Sequence, residues 1–114
     1  MQKLAPVALF VYNRPDHTRR TLAYLQKNLL ADESRLYIYS DAAKTPANEA
    51  KVDEVRAIIN EVGGFKSVKI ILREQNMGLA TSIIDGVTHL VNEYGKVIGF
   101  EDELGWNYRP GGKD

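Results

Sequence analysis

The chain has 114 residues, with fifteen Lys and Arg against fifteen Asp and Glu, and it contains no cysteine. This length suits one compact domain and is short for two. The balanced charge gives no sign of a nucleic acid or anionic membrane partner, and the lack of cysteine excludes disulfides, thiolate catalysis and cysteine metal sites. The apolar run LAPVALFVY is too short for a membrane span and has no cleavage signal after it, so we expect a soluble, cytoplasmic protein.

The first half of the chain alternates between strand and helix patterns. Residues 6–12, PVALFVY, form a continuous apolar run that ends at NRPD, as is typical of a strand buried on both faces. From about Asp16 to Leu30 the apolar residues recur at helical spacing, with Asp16 as the predicted N-cap. Residues 35–41, RLYIYSD, predict a second strand that ends at Asp41.

The second half continues the alternation. A helical pattern runs from Ala47 to the Gly-Gly pair after Val62, and residues 68–74, VKIILRE, predict a third strand that QNMG ends. A long helix then runs to about Gly95, and residues 96–100, KVIGF, predict a fourth strand. The residues expected on the buried face of that helix are Leu79, Ala80, Ile83, Ile84, Val87, Leu90 and Val91.

The order of these elements is βαβαβαβ, which predicts an α/β fold. Strands that alternate with helices pair in parallel through right-handed crossovers, and the helices cover both faces of the sheet. Ligands bind such sheets beyond the carboxyl ends of the strands, at the point where the strand order reverses. Polar residues at those ends are therefore the candidates for a site.

All four predicted strands end in polar side chains. They are Asn13 and Arg14 after the first, Ser40 and Asp41 after the second, Arg73, Glu74, Gln75 and Asn76 after the third, and Glu101, Asp102 and Glu103 after the fourth. For each residue alone, a solvated strand end is the simpler interpretation. Together they predict a cleft suited to an anion that is held partly by arginine and partly through a bridging cation.

Two of these segments have a specific chemical interpretation. In QNMGLATS, Asn76 lies where a helix N-cap is expected and Gly78 would let a ligand approach the backbone, so a diphosphate could bind at the helix N-terminus. An ordinary asparagine cap explains the same residues.

The carboxylates of EDE at 101–103 are the ligands that Mg²⁺ and Mn²⁺ prefer. Neither G-x-G-x-x-G nor a Walker loop is present in the sequence.

Four segments in order, VALFVYNRPDHTRRTLAYL, LYIYSD, REQNMGLATSIIDGV and KVIGFEDEL, resemble the nucleotide-sugar-binding half of GT-A fold glycosyltransferases. The similarity is to family 2 and to the N-acetylglucosaminyltransferase I group, and it covers residues 1–104. It implies a three-layer α/β/α Rossmann-like half-domain with strand order 3-2-1-4, and a nucleotide-diphospho-sugar ligand, with UDP favoured.

The resemblance also implies a role for each matching residue. Tyr12, Asn13 and Arg14 would lie beside the base and ribose, Asp41 would bind the base, and Arg73 would border it. Asn76, Gly78 and Leu79 would follow the ribose and diphosphate. Glu101 and Asp102 would contact ribose and sugar, and Glu103 would ligate Mn²⁺ or Mg²⁺.

The sequence departs from that family at its end. Glu103 stands where the family has aspartate, and Gly99 stands inside the fourth strand, which the family fills with large aliphatic residues and which glycine weakens. Residues 105–114 form a divergent tail. The family's acceptor half and catalytic base have no counterpart here, so we expect donor binding without sugar transfer by this chain alone. We also expect the fourth strand to be an exposed edge through which the protein forms homo-oligomers.

Two other functions are compatible with an α/β sheet. A receiver-like or flavodoxin-like regulatory module would use acidic strand ends, but the position after the first strand holds NRPD rather than an acidic pair. A nucleotidyltransferase would need a glycine-rich basic loop at that position, and the sequence has none.

Overall fold

The computed structural model describes residues 4–101 and the backbone of residues 105–108. The strands are β1 (Val7–Val11), β2 (Arg35–Ser40), β3 (Ser67–Leu72), β4 (Val97–Glu101) and β5 (Gly105–Tyr108), and the helices are α1 (Pro15–Asn28), α2 (Glu49–Ile59) and α3 (Leu79–Tyr94). The strands form one sheet in the order β3-β2-β1-β4-β5. The first four are parallel, and β5 is antiparallel to β4. The predicted α/β fold and the order 3-2-1-4 are therefore confirmed.

Strand β1 lies at the centre of the protein, and all five of its residues are buried. On one face, Leu9 pairs in register with Ile38 of β2 and packs with Leu25 of α1 and Val55 of α2. On the other face, Phe10 packs with residues of α3. Because helices cover both faces, no position of β1 needs a polar side chain, which explains its unbroken apolar run. Burying each such large side chain stabilises the fold by roughly 1.5–3 kcal/mol.

Helix α3 packs on the sheet through a fully buried stripe, Ser82, Gly86 and Leu90, and through partly buried side chains beside it, which are Ile83, Val87, Val91 and Tyr94. The predicted apolar face is confirmed at Ile83, Val87, Leu90 and Val91. It is wrong at Ala80, which is exposed, and at Leu79 and Ile84, whose exposed fractions are 50% and 66%. Among the described residues α3 is the one helix on its side of the sheet, so no neighbouring helix covers its flanks. None of the helices within the described residues has the length and apolar character needed to cross a membrane.

The start of α1 differs from the prediction. Arg14 occupies the N-cap position, and Pro15 begins the helix, whereas Asp16 lies in the first turn and does not cap it. Proline suits this place because the first helical N–H has no partner within the helix and the ring presets φ. Thr18 completes the turn, as both its backbone N–H and its hydroxyl donate to the Arg14 carbonyl.

Strand β4 is not an edge of the sheet. Residues 105–108, assigned to a divergent tail in the sequence, form β5 and pair with β4 from Phe100↔Gly105 to Val97↔Tyr108. The predicted exposed edge at β4 is therefore wrong, because β1 and β5 occupy its two sides. Within the described part of the chain, the outer strands are β3 and β5.

Two buried tyrosines make the stability of the fold sensitive to alkaline pH. Burial raises the pKa of Tyr39 to about 12. Burial, followed by the 2.6 Å hydrogen bond with the Tyr94 hydroxyl, raises the pKa of Tyr37 still further. Each phenol therefore ionises more easily in the unfolded chain than in the folded one. We expect the free energy of unfolding to be unaffected by these groups below about pH 10 and to fall above it, by at most about 1.4 kcal/mol per pH unit for each tyrosine.

Urea denaturation at neutral pH and at about pH 11 measures this effect. Tyr39→Phe should reduce the alkaline loss, and it should cost little at neutral pH because the Tyr39 hydroxyl has no hydrogen-bond partner among the described residues. Tyr24→Phe is the control, since Tyr24 is 55% exposed. An alkaline loss that is the same in Tyr39→Phe as in the unaltered protein would contradict the prediction.

Candidate functional site

A cleft opens at the point where the strand order reverses. From β1 the chain moves outward to β2 and β3, and it then returns through α3 to place β4 on the other side of β1. The cleft lies beyond the carboxyl ends of β1 and β4 and has a volume of about 340 Å³, which suits a small-molecule ligand. Its lining residues are Phe10, Val11, Tyr12, Asn13, Arg14, Asp41, Lys44, Asn76, Gly78, Leu79, Ser82 and Glu101.

Eight of the ten predicted nucleotide-sugar residues therefore lie around one cleft. They are Tyr12, Asn13, Arg14, Asp41, Asn76, Gly78, Leu79 and Glu101. The remaining two are Arg73, which lies elsewhere, and Asp102, which lies outside the described residues. The predicted metal ligand, Glu103, also lies outside them.

Asp41 joins two loops at the rim of the cleft. Asp41 follows Ser40, the last residue of β2, and the residue is 5% exposed. The Oδ1 atom accepts hydrogen bonds from the backbone N–H groups of Ala42 and Met77, both at 2.9 Å. The Oδ2 atom accepts from the Gly78 N–H at 3.0 Å and from the Asn76 amide at 3.3 Å. Four donors thus compensate a buried charge, and they hold the loop before α3 against the end of β2.

The N-cap of helix α3 is Gly78 rather than Asn76. Gly78 is the N-cap, with φ 80° and ψ 153°, a conformation that disfavours residues with a Cβ atom. A Cβ added here would have no neighbour within 4 Å, so the glycine serves the backbone conformation and not a close contact within the fold. The predicted cap at Asn76 is wrong because its amide turns to the other loop, where it donates to Asp41 and, at 2.8 Å, to the Ala42 carbonyl.

The end of β1 fixes the loop that follows β2. The Tyr12 hydroxyl accepts a hydrogen bond from the Lys44 backbone N–H at 3.0 Å. The Asn13 amide donates to the Asn48 side-chain oxygen at 2.9 Å. Together with Asp41, these contacts connect the loops after β1 and β2 and the loop before α3, so the walls of the cleft support one another.

Arg73 does not line the cleft. Its guanidinium pairs with Asp85 at 2.8 Å and lies over the Tyr39 ring, with 5.0 Å between the guanidinium carbon and the ring centroid. The side chain is 12% exposed. These contacts attach the end of β3 to α3, and Arg73 faces a neighbouring groove that it shares with Arg56.

Two cationic residues at this end of the sheet were not among the predicted site residues. Lys44 lines the cleft. Arg56 of α2 donates to the Ser40 hydroxyl at 3.0 Å and to the Arg73 carbonyl at 2.9 Å, and so connects the ends of β2 and β3. Its position four residues after the buried Val52 was a signal, because it places the side chain beside the buried stripe of α2. Lys44 has no comparable signal in the sequence.

The described acidic groups at the cleft are Asp41 and Glu101. Asp41 has both carboxylate oxygens in hydrogen bonds, which leaves Glu101 as the described carboxylate available to a ligand or a cation. No cluster of three or more His, Asp and Glu side chains arranged for a metal ion occurs within residues 4–101. The remaining acids of the predicted Mn²⁺ or Mg²⁺ site, at 102 and 103, lie outside the described residues.

Comparison with protein-family models gives no match for this chain, and comparison with curated proteins gives none either.

The strand order distinguishes a Rossmann-like sheet from a receiver-like or flavodoxin-like one. Receiver-like and flavodoxin-like sheets have the order 2-1-3-4-5, whereas this sheet has β1 between β2 and β4, as in the Rossmann arrangement. The strand order is therefore that of a Rossmann-like half-domain and differs from that of a receiver-like or flavodoxin-like module.

Proposed function

We propose that the cleft binds a nucleotide-diphospho-sugar, as the donor-binding half of a GT-A glycosyltransferase does. The observation that carries this proposal is the position of the eight residues named above around one cleft at the switch point of the sheet. They come from three separate stretches of the chain and from Glu101. The strand order brings these parts of the chain to one edge of the sheet, and the residues that resemble the GT-A segments line the cleft of ligand size that forms there.

The chemistry of the cleft suits the parts of such a ligand. Tyr12 offers an aromatic side chain beside which a base can pack, and its hydroxyl is already held by the Lys44 N–H. Glu101, half-buried at the end of β4, is an acceptor for ribose or sugar hydroxyls. Lys44 and Arg14 supply positive charge for the diphosphate. Asp41 contributes by holding the loop before α3, and not through a free carboxylate oxygen.

The reaction class that we propose is transfer of the sugar to an acceptor hydroxyl by the protein of which this donor site forms part. A divalent cation, Mn²⁺ or Mg²⁺, would neutralise charge on the diphosphate leaving group. Glu101 is the described residue that could contribute to its binding.

A charge placed at the start of α3 tests the proposal. Leu79→Glu should weaken UDP binding by about tenfold, because the new carboxylate would lie at the cleft and repel the diphosphate. The variant should fold, since Leu79 is 50% exposed and an acidic residue is favourable in the first turn of a helix. Calorimetric titration with UDP, GDP, CDP and a UDP-sugar, each with and without Mn²⁺, measures the binding.

Ile84→Glu is the matched control. It places the same charge on the same helix at an apolar residue that is 66% exposed and does not line the cleft. UDP affinity should be nearly unchanged in this variant. Equal losses in both variants would indicate a general charge effect and would remove the support for this cleft. If none of the nucleotides or the UDP-sugar binds at millimolar concentration in either metal condition, the proposal fails.

A further inference from the structure

The negative charge of Asp41 at the cleft is already compensated by hydrogen bonds within the protein. Each of its two carboxylate oxygens receives two donors from the chain, at 2.9–3.3 Å. A carboxylate in this state has little capacity for a further donor from a ligand, and its negative charge is balanced locally. Asp41 is therefore a positioning residue for the cleft wall. The charge that a ligand meets comes from other side chains.

Lys44 is the cation whose position the structure explains most directly. Its backbone N–H is held by the Tyr12 hydroxyl at 3.0 Å, and its loop is held again by the bond from Asn13 to Asn48. The residue lines the cleft, and its ammonium forms no ion pair with any acidic side chain in the described part of the chain. A lysine in a fixed loop, at the mouth of a cleft and without an acidic partner, is available to an anionic ligand.

We infer that Lys44 contacts the diphosphate of the ligand and that part of the binding is therefore independent of a divalent cation. This inference rests on the proposed function for the identity of the ligand, and it adds a specificity-determining residue to it. The ammonium would donate to phosphate oxygens as a charge-assisted hydrogen-bond donor. Lys44 would then discriminate a nucleoside diphosphate from a nucleoside, because only the former carries the anionic group.

Binding measured in EDTA tests this inference. The probes are UDP, uridine and inorganic pyrophosphate, titrated calorimetrically at low ionic strength. Lys44→Ala should weaken UDP and pyrophosphate binding by about tenfold and leave uridine binding unchanged. Lys44→Arg should retain most of the affinity, since it keeps the charge. The effect of Lys44→Ala should shrink as salt is added, because the contact is partly exposed. Lys51→Ala is the control, as it removes an exposed lysine of α2 that does not line the cleft.

The outcomes separate this inference from the proposed function. UDP that binds only with Mn²⁺, and equally to Lys44→Ala, overturns the inference and leaves the proposed function in place. In a third outcome, Lys44→Ala weakens pyrophosphate binding, and UDP binds no more tightly than pyrophosphate does. That result supports the role of Lys44 and contradicts the proposed function. Absence of binding by UDP and by pyrophosphate, with and without Mn²⁺, overturns both. An equal loss in Lys44→Ala and Lys51→Ala shows a general charge effect and overturns the role of Lys44.

Discussion

Replacing Asp41 with asparagine is expected to lower the free energy of unfolding by about 2–4 kcal/mol. The side chain is 5% exposed, and its two oxygens accept hydrogen bonds from three backbone N–H groups and one amide. Asparagine has the same shape, but it presents an NH₂ group where one oxygen stood. Two donors would then lose their acceptor and face another donor, in a place where water does not replace the lost bonds. Urea denaturation of the two proteins measures the difference.

The loss should also be local to the loop before α3. If Asp41 holds that loop, then hydrogen exchange in the variant should accelerate at the amides of Met77 and Gly78 before it accelerates in β1. Asp32→Asn is the matched control because it makes the same substitution at an exposed residue, and it should change stability by less than about 0.5 kcal/mol. Equal stability of Asp41→Asn and the unaltered protein would contradict the role given to this carboxylate.

The parallel sheet and its helices were predictable because each of these elements has one clear period in its apolar residues. The run at 6–12 indicates a doubly covered strand, and β1 is buried along its whole length between two helical layers. Alternation of strands and helices then fixes parallel pairing, since a parallel connection needs a crossover. Strand β5 was not predictable in the same way. GWNY has only four residues, too few for its alternation of aromatic and small or polar residues to predict a strand, and it follows β4 closely along the chain.

The candidate site was predictable at the level of which strand ends meet, but not at the level of what each side chain does. Parallel strands bring their carboxyl ends to one edge of the sheet, and this rule placed Asn13, Asp41 and Glu101 around one cleft. The partners of Asp41 lie at Met77 and Gly78, more than thirty residues along the chain. The ion pair of Arg73 with Asp85 was unpredictable for the same reason, since it depends on how α3 lies against β3. Contacts of this kind follow from tertiary geometry and leave no local pattern in the sequence.

Gly86 is a residue whose importance the sequence does not indicate, because a glycine within a helix is ordinarily a weak point. In the structure, a Cβ atom at Gly86 would lie 2.9 Å from one ring carbon of Phe10 and 3.0 Å from a ring carbon of Tyr39. Those two rings are stacked, with centroids 5.0 Å apart, and both are buried in the core between α3 and the sheet. Both rings are large and closely packed, so a side chain at this position must displace α3 from the sheet or disturb the stacked pair.

Gly86→Val is therefore expected to destabilise the protein by about 3 kcal/mol, at the upper end of the usual cost of overpacking a core. The gain in helix propensity over glycine is below about 1 kcal/mol and offsets little of this cost. Gly63→Val is the control, since a Cβ there has no neighbour within 4 Å, and it should change stability by less than about 0.5 kcal/mol. Urea denaturation measures both variants, and a stable Gly86→Val protein would show that the spacing of α3 from the sheet is not fixed by this contact.

Because α3 also carries Leu79 at its first position and Ser82 in its buried stripe, the same displacement should move one wall of the cleft. Gly86→Val should accordingly weaken UDP binding even under conditions in which the variant remains folded.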